Sequence, residues 1–237
     1  MHGVLLLAGG KGKRMGGKIY DKLLHPLHET TSFRLCCEAY LKAREIEDFV
    51  IVHRDEEQKL LLKNEFSVAC AKSDRKTEPA YVIGGLRRMD SVRNGLTALS
   101  ENCQFVQVHD CARPMIRTST ISKLAQEVAR VQAVAVARPV RDTVRLSSER
   151  KLMSGLPQKT FTMDRSKMWF METPQAIRKD WLIDGINLAV KKKIEATDEV
   201  FVVELLGKKT VFYNPEYPNP KITTMEDYKY LNFLLNS

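Results

Sequence analysis

The sequence predicts an α/β fold: a mostly parallel sheet with flanking helices and a protruding β-arm. Three observations predict it. Short apolar runs rich in Val and Ile recur along the 237 residues. Helix-period patterns fill most of the gaps between them. One stretch, 138–173, breaks that rhythm. Short buried strands alternating with helices argue a sheet covered on both faces, the Rossmann-like arrangement. Such sheets bind their ligands beyond the carboxyl ends of the strands.

The strand-like runs are Val4–Ala8, Phe49–His53, Ala80–Ile83, Phe105–His109, Val134–Ala137 and Val211–Tyr213. Between them, Ser32–Arg44 places Leu35, Cys36, Ala39 and Tyr40 on one helical face, and Glu56–Phe66, Ser91–Leu99 and Ser119–Val131 repeat the pattern. Later helices are expected at Asp180–Lys193, at Val200–Leu206 and from about Met225 to Leu235. Thr197 is a candidate N-cap for the second of these, with Asp198 and Glu199 favouring its first turn, and Thr224 caps the third. No linker or internal repeat divides the chain, and its length suits one domain, 1–237.

The stretch 138–173 has short alternating pieces, with turn signals in "SSER" and "SGLPQ". It reads as a two- or three-stranded arm. Periodicity alone leaves two fates open: pairing with a partner subunit, or packing as a surface hairpin on its own domain.

Composition narrows the function. No apolar run approaches the roughly 20 residues that span a bilayer, and the opening "MHGVLLLAGG" has too short an apolar core for a signal peptide. The five cysteines are odd in number and form no Cys-x-x-Cys pair, so a disulfide scaffold or Cys-rich zinc site is not expected and a cytoplasmic setting fits. The net charge of +9 admits nucleic acid or a small anionic substrate in a focused cleft. Nucleic-acid binding would want aromatics interleaved with cations. Aromatics are only 8% and fall mainly at core-like positions, so that class is set aside.

The first strand runs into "LAGGKGKRMG", residues 7–16. A P-loop would need Ser or Thr after Gly12-Lys13, and Arg14 stands there. A dinucleotide fingerprint would need a third glycine where Met15 stands. An anion site is still favoured. Gly9, Gly10 and Gly12 let backbone amides converge, while Lys11, Lys13 and Arg14 add mobile positive charge. Arg14 offers a planar fork to phosphate, and Lys22, a few residues on, a point charge.

Further along come "GGLRRMDSVRNGL" (84–96), "VHDCARP" (108–114), "PVRDTV" (139–144), "TPQ" (173–175), Thr197-Asp198-Glu199 and "KITT" (221–224). Together with "LAGGKGKRMG" and Lys22, their order and spacing resemble the 2-C-methyl-D-erythritol 4-phosphate cytidylyltransferase family, over about Val4 to Leu234. Ribitol-5-phosphate cytidylyltransferases share parts of the pattern and stand as the alternative.

The resemblance implies transfer of a cytidylyl group from CTP to methylerythritol 4-phosphate, with pyrophosphate released and Mg²⁺ assisting. It implies Arg14, Lys22 and Lys221 as catalytic cations and Gly10, Gly12 and Lys13 along the triphosphate. Gly85 and Ser91 would lie at the cytosine and its surroundings. Asp110, at the end of a strand, would hold either Mg²⁺ or a ribose hydroxyl, or simply cap the next turn. Asp90 reads as a cap for a helix starting at Ser91. Arg113, Asp142, Thr143, Asp164, Arg165 and Thr197 would hold the polyol phosphate. Arg165 matches a residue that reaches the site from a partner subunit, which implies a homodimer through 138–173. Cys111 takes no catalytic part. Arg14, Lys22 and Lys221 are all present, which argues against a nucleotide-binding module without catalysis.

Overall fold

The computed structural model describes residues 1–10, 12, 20–147 and 159–236. Seven strands form one sheet: β1 (His2–Leu7), β4 (Ile46–His53), β5 (Ala80–Ile83), β6 (Phe105–Asp110), β7 (Ala133–Pro139), β10 (Trp169–Arg178) and β11 (Val211–Tyr213). Their order is β11-β7-β10-β6-β1-β4-β5. All pairings are parallel except those of β10, which runs antiparallel to β6 and β7. Two two-stranded ribbons complete the strands: β2 (Pro26–Leu27) with β3 (Thr30–Thr31), and β8 (Arg145–Ser147) with β9 (Thr160–Thr162).

The helices are α1 (Ser32–Lys42), α2 (Glu56–Ala71), α3 (Arg88–Leu96), α4 (Thr118–Val131), α5 (Lys179–Lys191), α6 (Glu199–Leu205) and α7 (Met225–Asn236). Strand alternation sends successive side chains to opposite faces. Val4 and Leu6 of β1 therefore enter one core, with α1, α2 and α7, while Leu5 enters the other, with α3, α5 and α6. This two-faced burial is why the strands read as continuous apolar runs.

Local signals set most boundaries. Thr31 caps α1 by accepting from the Arg34 amide, and Asp55 caps α2 by accepting from Gln58. Thr224 caps α7, as expected, and Asp227 reciprocates by accepting from the Thr224 amide. Three expectations need correction. The cap of α6 is Asp198, whose carboxylate accepts from the Phe201 amide, and not Thr197, which lies one residue before the capping position. Helix α3 begins at Arg88 and not Ser91, so Asp90 lies inside its first turn and satisfies the Arg87 amide from there. The ends of 138–173 belong to the main sheet, because Phe170 and Met171 pair with Arg138 and Ala137. The excursion proper is the β8–β9 ribbon and a 3₁₀ turn at Arg165–Lys167. The turn signals in "SSER" and "SGLPQ" lie almost wholly outside the described residues.

The register puts the functional ends together. Leu7 of β1 sits opposite Val52 of β4 and Asp110 of β6, and His53 sits opposite Ile83. The glycine-rich loop, the 84–96 segment and Asp110 thus leave the same edge of the sheet. On the far face α5 seats α6 through Gly185. A Cβ there would lie 2.4 Å from Val202 Cγ1 and 2.5 Å from the Val202 carbonyl oxygen. Alanine would gain about 1 kcal/mol of helix propensity, but overpacking against a backbone carbonyl costs about 1–3 kcal/mol. Gly185→Ala is therefore expected to lower the urea midpoint; a raised midpoint would show that the two helices part freely.

Candidate active site

Asp110 ends β6 with its side chain 12% exposed. Its Oδ1 accepts from Arg88 Nε at 3.2 Å, and its Oδ2 is paired with Lys221 Nζ. Burial alone would raise this carboxyl, but the charges of Arg88 and Lys221 outweigh it and hold it far below the usual carboxylate range. Its role is thus not to cap the next turn. The Asp110 amide donates to Thr173 Oγ1 at 3.0 Å, so β10 fixes the backbone that presents the carboxylate.

Arg88 faces both ways. Its Nη1 and Nη2 meet the Glu199 carboxylate at 2.5 and 3.0 Å, a bidentate pair, while Nε serves Asp110. Glu199 is almost fully buried, which pushes its carboxyl above the usual range despite Arg88. Gln175 Oε1 accepts from the amides of Glu199 and Val200, tying the start of α6 to β10. The sequence marks Glu199 as a first-turn acid and as part of the Thr197-Asp198-Glu199 motif, and it does not single out Arg88. They stand 111 positions apart, and no local period links them.

Lys22 and Lys221 come together through the backbone. Lys22 Nζ donates to the Ile222 carbonyl at 2.8 Å, and the Ile222 amide donates to Ala112 at 2.8 Å. Arg113 is mostly buried. Its Nη1 donates to the Asn219 carbonyl at 2.9 Å and lies 3.9 Å from Glu172. Glu172 in turn pairs with Arg138 Nε at 2.6 Å.

Residues 84–87 form a compact turn ahead of α3. Gly84 donates to the His53 carbonyl, and the Gly85 amide donates to Ser91 Oγ at 3.0 Å. A Cβ on Gly85 would lie 2.3 Å from Asp90 Cβ, so the chain passes there only without a side chain. Gly10 is exposed, and Gly12 has a positive φ of 58°. Lys13 and Arg14 lie outside the described residues.

Asp142, Thr143 and Arg165 are exposed on the arm, with Arg165 Nη1 donating to the Arg141 carbonyl and Asp164 capping the 3₁₀ turn. Among the described residues, no hydrogen bond or ion pair joins these four to Asp110 or Lys221. Thr197 is exposed beside Asp198 and Glu199. The structure therefore gathers Lys22, Lys221, Asp110 and Arg113, sets Gly85 with Ser91, and keeps the arm residues as a separate group.

An α/β sheet whose carboxyl edge gathers a glycine-rich turn and several cations around one carboxylate defines a class of proteins that handle phosphorylated ligands. The particular family is fixed by comparison. The family model for IspD, 2-C-methyl-D-erythritol 4-phosphate cytidylyltransferase, matches residues 2–237, and the chain belongs to that family. It is 32% identical to the enzyme of that name from Alkaliphilus oremlandii, covering 94% of this chain and 90% of the relative. It is 29% identical to that from Clostridioides difficile, covering 100% and 94%. The fold matches 4-diphosphocytidyl-2C-methyl-D-erythritol synthase from Anaerococcus prevotii with a TM-score of 0.81 at 22% identity, over 100% and 99% of the two chains. The chain is a cytidylyltransferase: it converts CTP and methylerythritol 4-phosphate to the CDP-alcohol and pyrophosphate.

Breaking the Arg88 pairs would leave Glu199 buried without a charged partner and Asp110 with Lys221 alone. Arg88→Met is expected to cost about 3–5 kcal/mol, and the exposed Arg87→Met far less. The gap should narrow with acid. Asp110 has a depressed value, so its contribution is present above the unfolded value and fades as pH falls. Unpartnered Glu199 has a raised value, and protonation relieves its cost. Urea titrations at neutral pH and below about pH 4 check this; a gap that widens in acid would refute it.

Proposed function

We propose that the carboxyl edge of the sheet is the shared site of CTP and methylerythritol 4-phosphate, with roles assigned residue by residue. The observation that carries this reading is the convergence of Lys22, Lys221 and Arg88 on the Asp110 region, where β1 hands over to the glycine-rich loop. A phosphate monoester is already an anionic nucleophile, so the step needs no strong base. One of its oxygens bonds to the α-phosphorus of CTP, and the bond from that phosphorus to the departing pyrophosphate breaks. The work of the protein is to hold two polyanions together and balance the charge that builds in the transition state.

In this reading Gly10, Gly12 and Lys13 lie along the triphosphate, and Arg14, Lys22 and Lys221 meet the reacting phosphates. Gly85 and Ser91 hold the cytosine side, where a turn this tight admits a pyrimidine and rejects a purine. Asp110 orients Lys221 and stands nearest the ribose. Mg²⁺ suits such a site: among the described residues no group of three or more His, Cys, Asp or Glu side chains could cage a metal, and a hydrated Mg²⁺ on phosphates needs few protein ligands. Asp110 is the carboxylate placed to contribute one. Bound Mg²⁺ would neutralise phosphate charge.

Arg113 and Thr197 approach from the main body, while Asp142, Thr143, Asp164 and Arg165 act from the arm on the neighbour's pocket. Support for a homodimer comes from exposed apolar side chains, Leu146 and Phe161 on the arm and Trp169 and Phe170 at the start of β10 beside it, which a second copy would cover. The whole chain serves as one nucleotidyltransferase unit, since the sheet draws strands from His2 to Tyr213. Among the described residues no helix is long and apolar enough to cross a membrane. The five free thiols fit a reducing cytoplasm.

A pyrophosphate-release assay tests the reading. CTP with methylerythritol 4-phosphate should turn over, and should exceed both ATP with the same acceptor and CTP with ribitol 5-phosphate. Arg14→Ala and Lys221→Ala should each lower kcat by about 100-fold or more. Near-wild-type turnover in either would remove that residue from the mechanism. For the arm, inactive Arg165→Ala and Lys22→Ala chains are refolded together. Action in trans restores about a quarter of the wild-type sites under random mixing; no recovery in proven mixed dimers would mean each chain is self-sufficient.

A further inference from the structure

The loop proposed to cradle the triphosphate begins after Ala8 and ends before Asp21, and one buried side chain grips both points. We propose that Gln58 is a positioning residue for the reaction: its amide clamps the two ends of the glycine-rich loop against the start of α2. Gln58 is fully buried. Its Nε2 donates to the Ala8 carbonyl at 2.9 Å and to Asp21 Oδ2 at 2.7 Å, and its Oε1 accepts from the Arg54 amide at 2.8 Å. Both donors and the acceptor of the carboxamide are committed, which fixes its orientation.

The surrounding groups reinforce each grip. At the entry, the Ala8 amide donates to the Val52 carbonyl at 2.8 Å, so the chain is held to β4 one step before Gly9. At the exit, Asp21 is 2% exposed at its side chain, accepts from Arg54 Nη1 at 2.5 Å through Oδ2, and accepts from the Leu23 amide at 2.9 Å through Oδ1. The Arg54 guanidinium also lies 5.3 Å from the Tyr20 ring centre, and the Tyr20 hydroxyl donates to Glu57. Gln58 itself is set by the Asp55 cap, which accepts its amide at 2.8 Å. Lys22 follows Asp21 directly, and its ammonium reaches the Ile222 carbonyl beside Lys221. The clamp therefore sets the span of the loop and the starting point of one catalytic cation, although Gln58 lies outside the reacting groups. A displacement of about 1 Å in groups that stabilise a transition state can lower rate by about 100-fold.

This inference rests on the reading that the loop holds the triphosphate, so its test includes Arg14→Ala as the probe of that reading. Gln58→Met keeps the length and burial and removes every donor. The folded variant is expected to lose at least tenfold in kcat, with KM for the polyol phosphate little changed. Trypsin should cut after Lys11, Lys13, Arg14 or Lys18 at least tenfold faster, while cleavage elsewhere keeps its wild-type rate. A merely structural role would lower the urea midpoint and leave both kcat and the loop's cleavage rate unmoved, and that result overturns the proposal. If Gln58→Met does not fold, Asp21→Asn is used. It is isosteric and sets an amide donor against Gln58 Nε2 and Arg54, cutting the exit grip alone. Raised loop cleavage and reduced kcat are expected again, and wild-type values of both overturn the clamp. Should Arg14→Ala keep full activity, the triphosphate reading falls on its own, and the cleavage rates still decide whether Gln58 holds the loop.

Discussion

One carboxylate sets the terms for the whole cleft. Asp110 sits at the end of β6, between β1 and β10, and takes a cation on each oxygen. Without it, Arg88 and Lys221 would face each other and Arg113 across a site built to attract anions. Like charges gathered in a partly buried place repel strongly, and an acid among them offsets that repulsion where backbone carbonyls offset it less. Asp110 lets the unliganded protein store that charge in a defined geometry. It also explains the position of the carboxylate in the fold: a central strand, paired on both sides, is the most rigid support the sheet offers.

The same interaction links segments far apart in sequence. Arg88 opens α3 directly after the 84–87 turn, Glu199 opens α6, and Lys221 lies in the segment leading to α7. Each reaches Asp110 directly or through Arg88. The side expected to bind nucleotide and the side expected to bind polyol phosphate are thus joined by a single charge network. Buried ion pairs seldom add much net stability, because desolvation cancels most of the attraction. Their value here is geometric: Arg88 and Asp110 each have their place fixed by two partners before any substrate arrives.

Much of this was legible in the sequence, and the limits have physical causes. Strands buried on both faces show as Val/Ile runs, so every strand of the main sheet but β10 could be read directly. Asp110 and Lys221 were legible as candidates, but their pairing was not, because side-chain contact between positions 110 and 221 leaves no periodic trace. Arg88 was hidden among neighbouring cations, as Arg87 beside it is an exposed residue that pairs with Asp90. Gln58 looked like one polar residue in a helix start. The arm was visible as broken rhythm, but its ends were misjudged because β10 enters the main sheet antiparallel and changes register between Met171 and Gln175. Caps were read where any short polar residue would serve, and the choice between Thr197 and Asp198 depended on backbone geometry.

The charge balance of the cleft bears on why such a network is kept. Among the described residues, five cations, Lys22, Arg88, Arg113, Arg138 and Lys221, stand with three carboxylates, Asp110, Glu172 and Glu199. The surplus is positive before Lys11, Lys13 and Arg14 of the loop are counted. A site with as many acids as bases would be more comfortable empty and would repel a triphosphate as it closed. A site with no acids would attract one but hold its cations apart, splayed toward solvent. Three carboxylates against five cations lie between these limits: enough negative charge to order the arginines, and enough unmet positive charge to make an arriving polyanion the missing partner. Arg113 shows the cost. Burial pulls its value down, Glu172 meets it only at 3.9 Å, and its Nε has no partner among the described residues. A buried cation left short in this way carries an unmet demand for a hydrogen-bond acceptor.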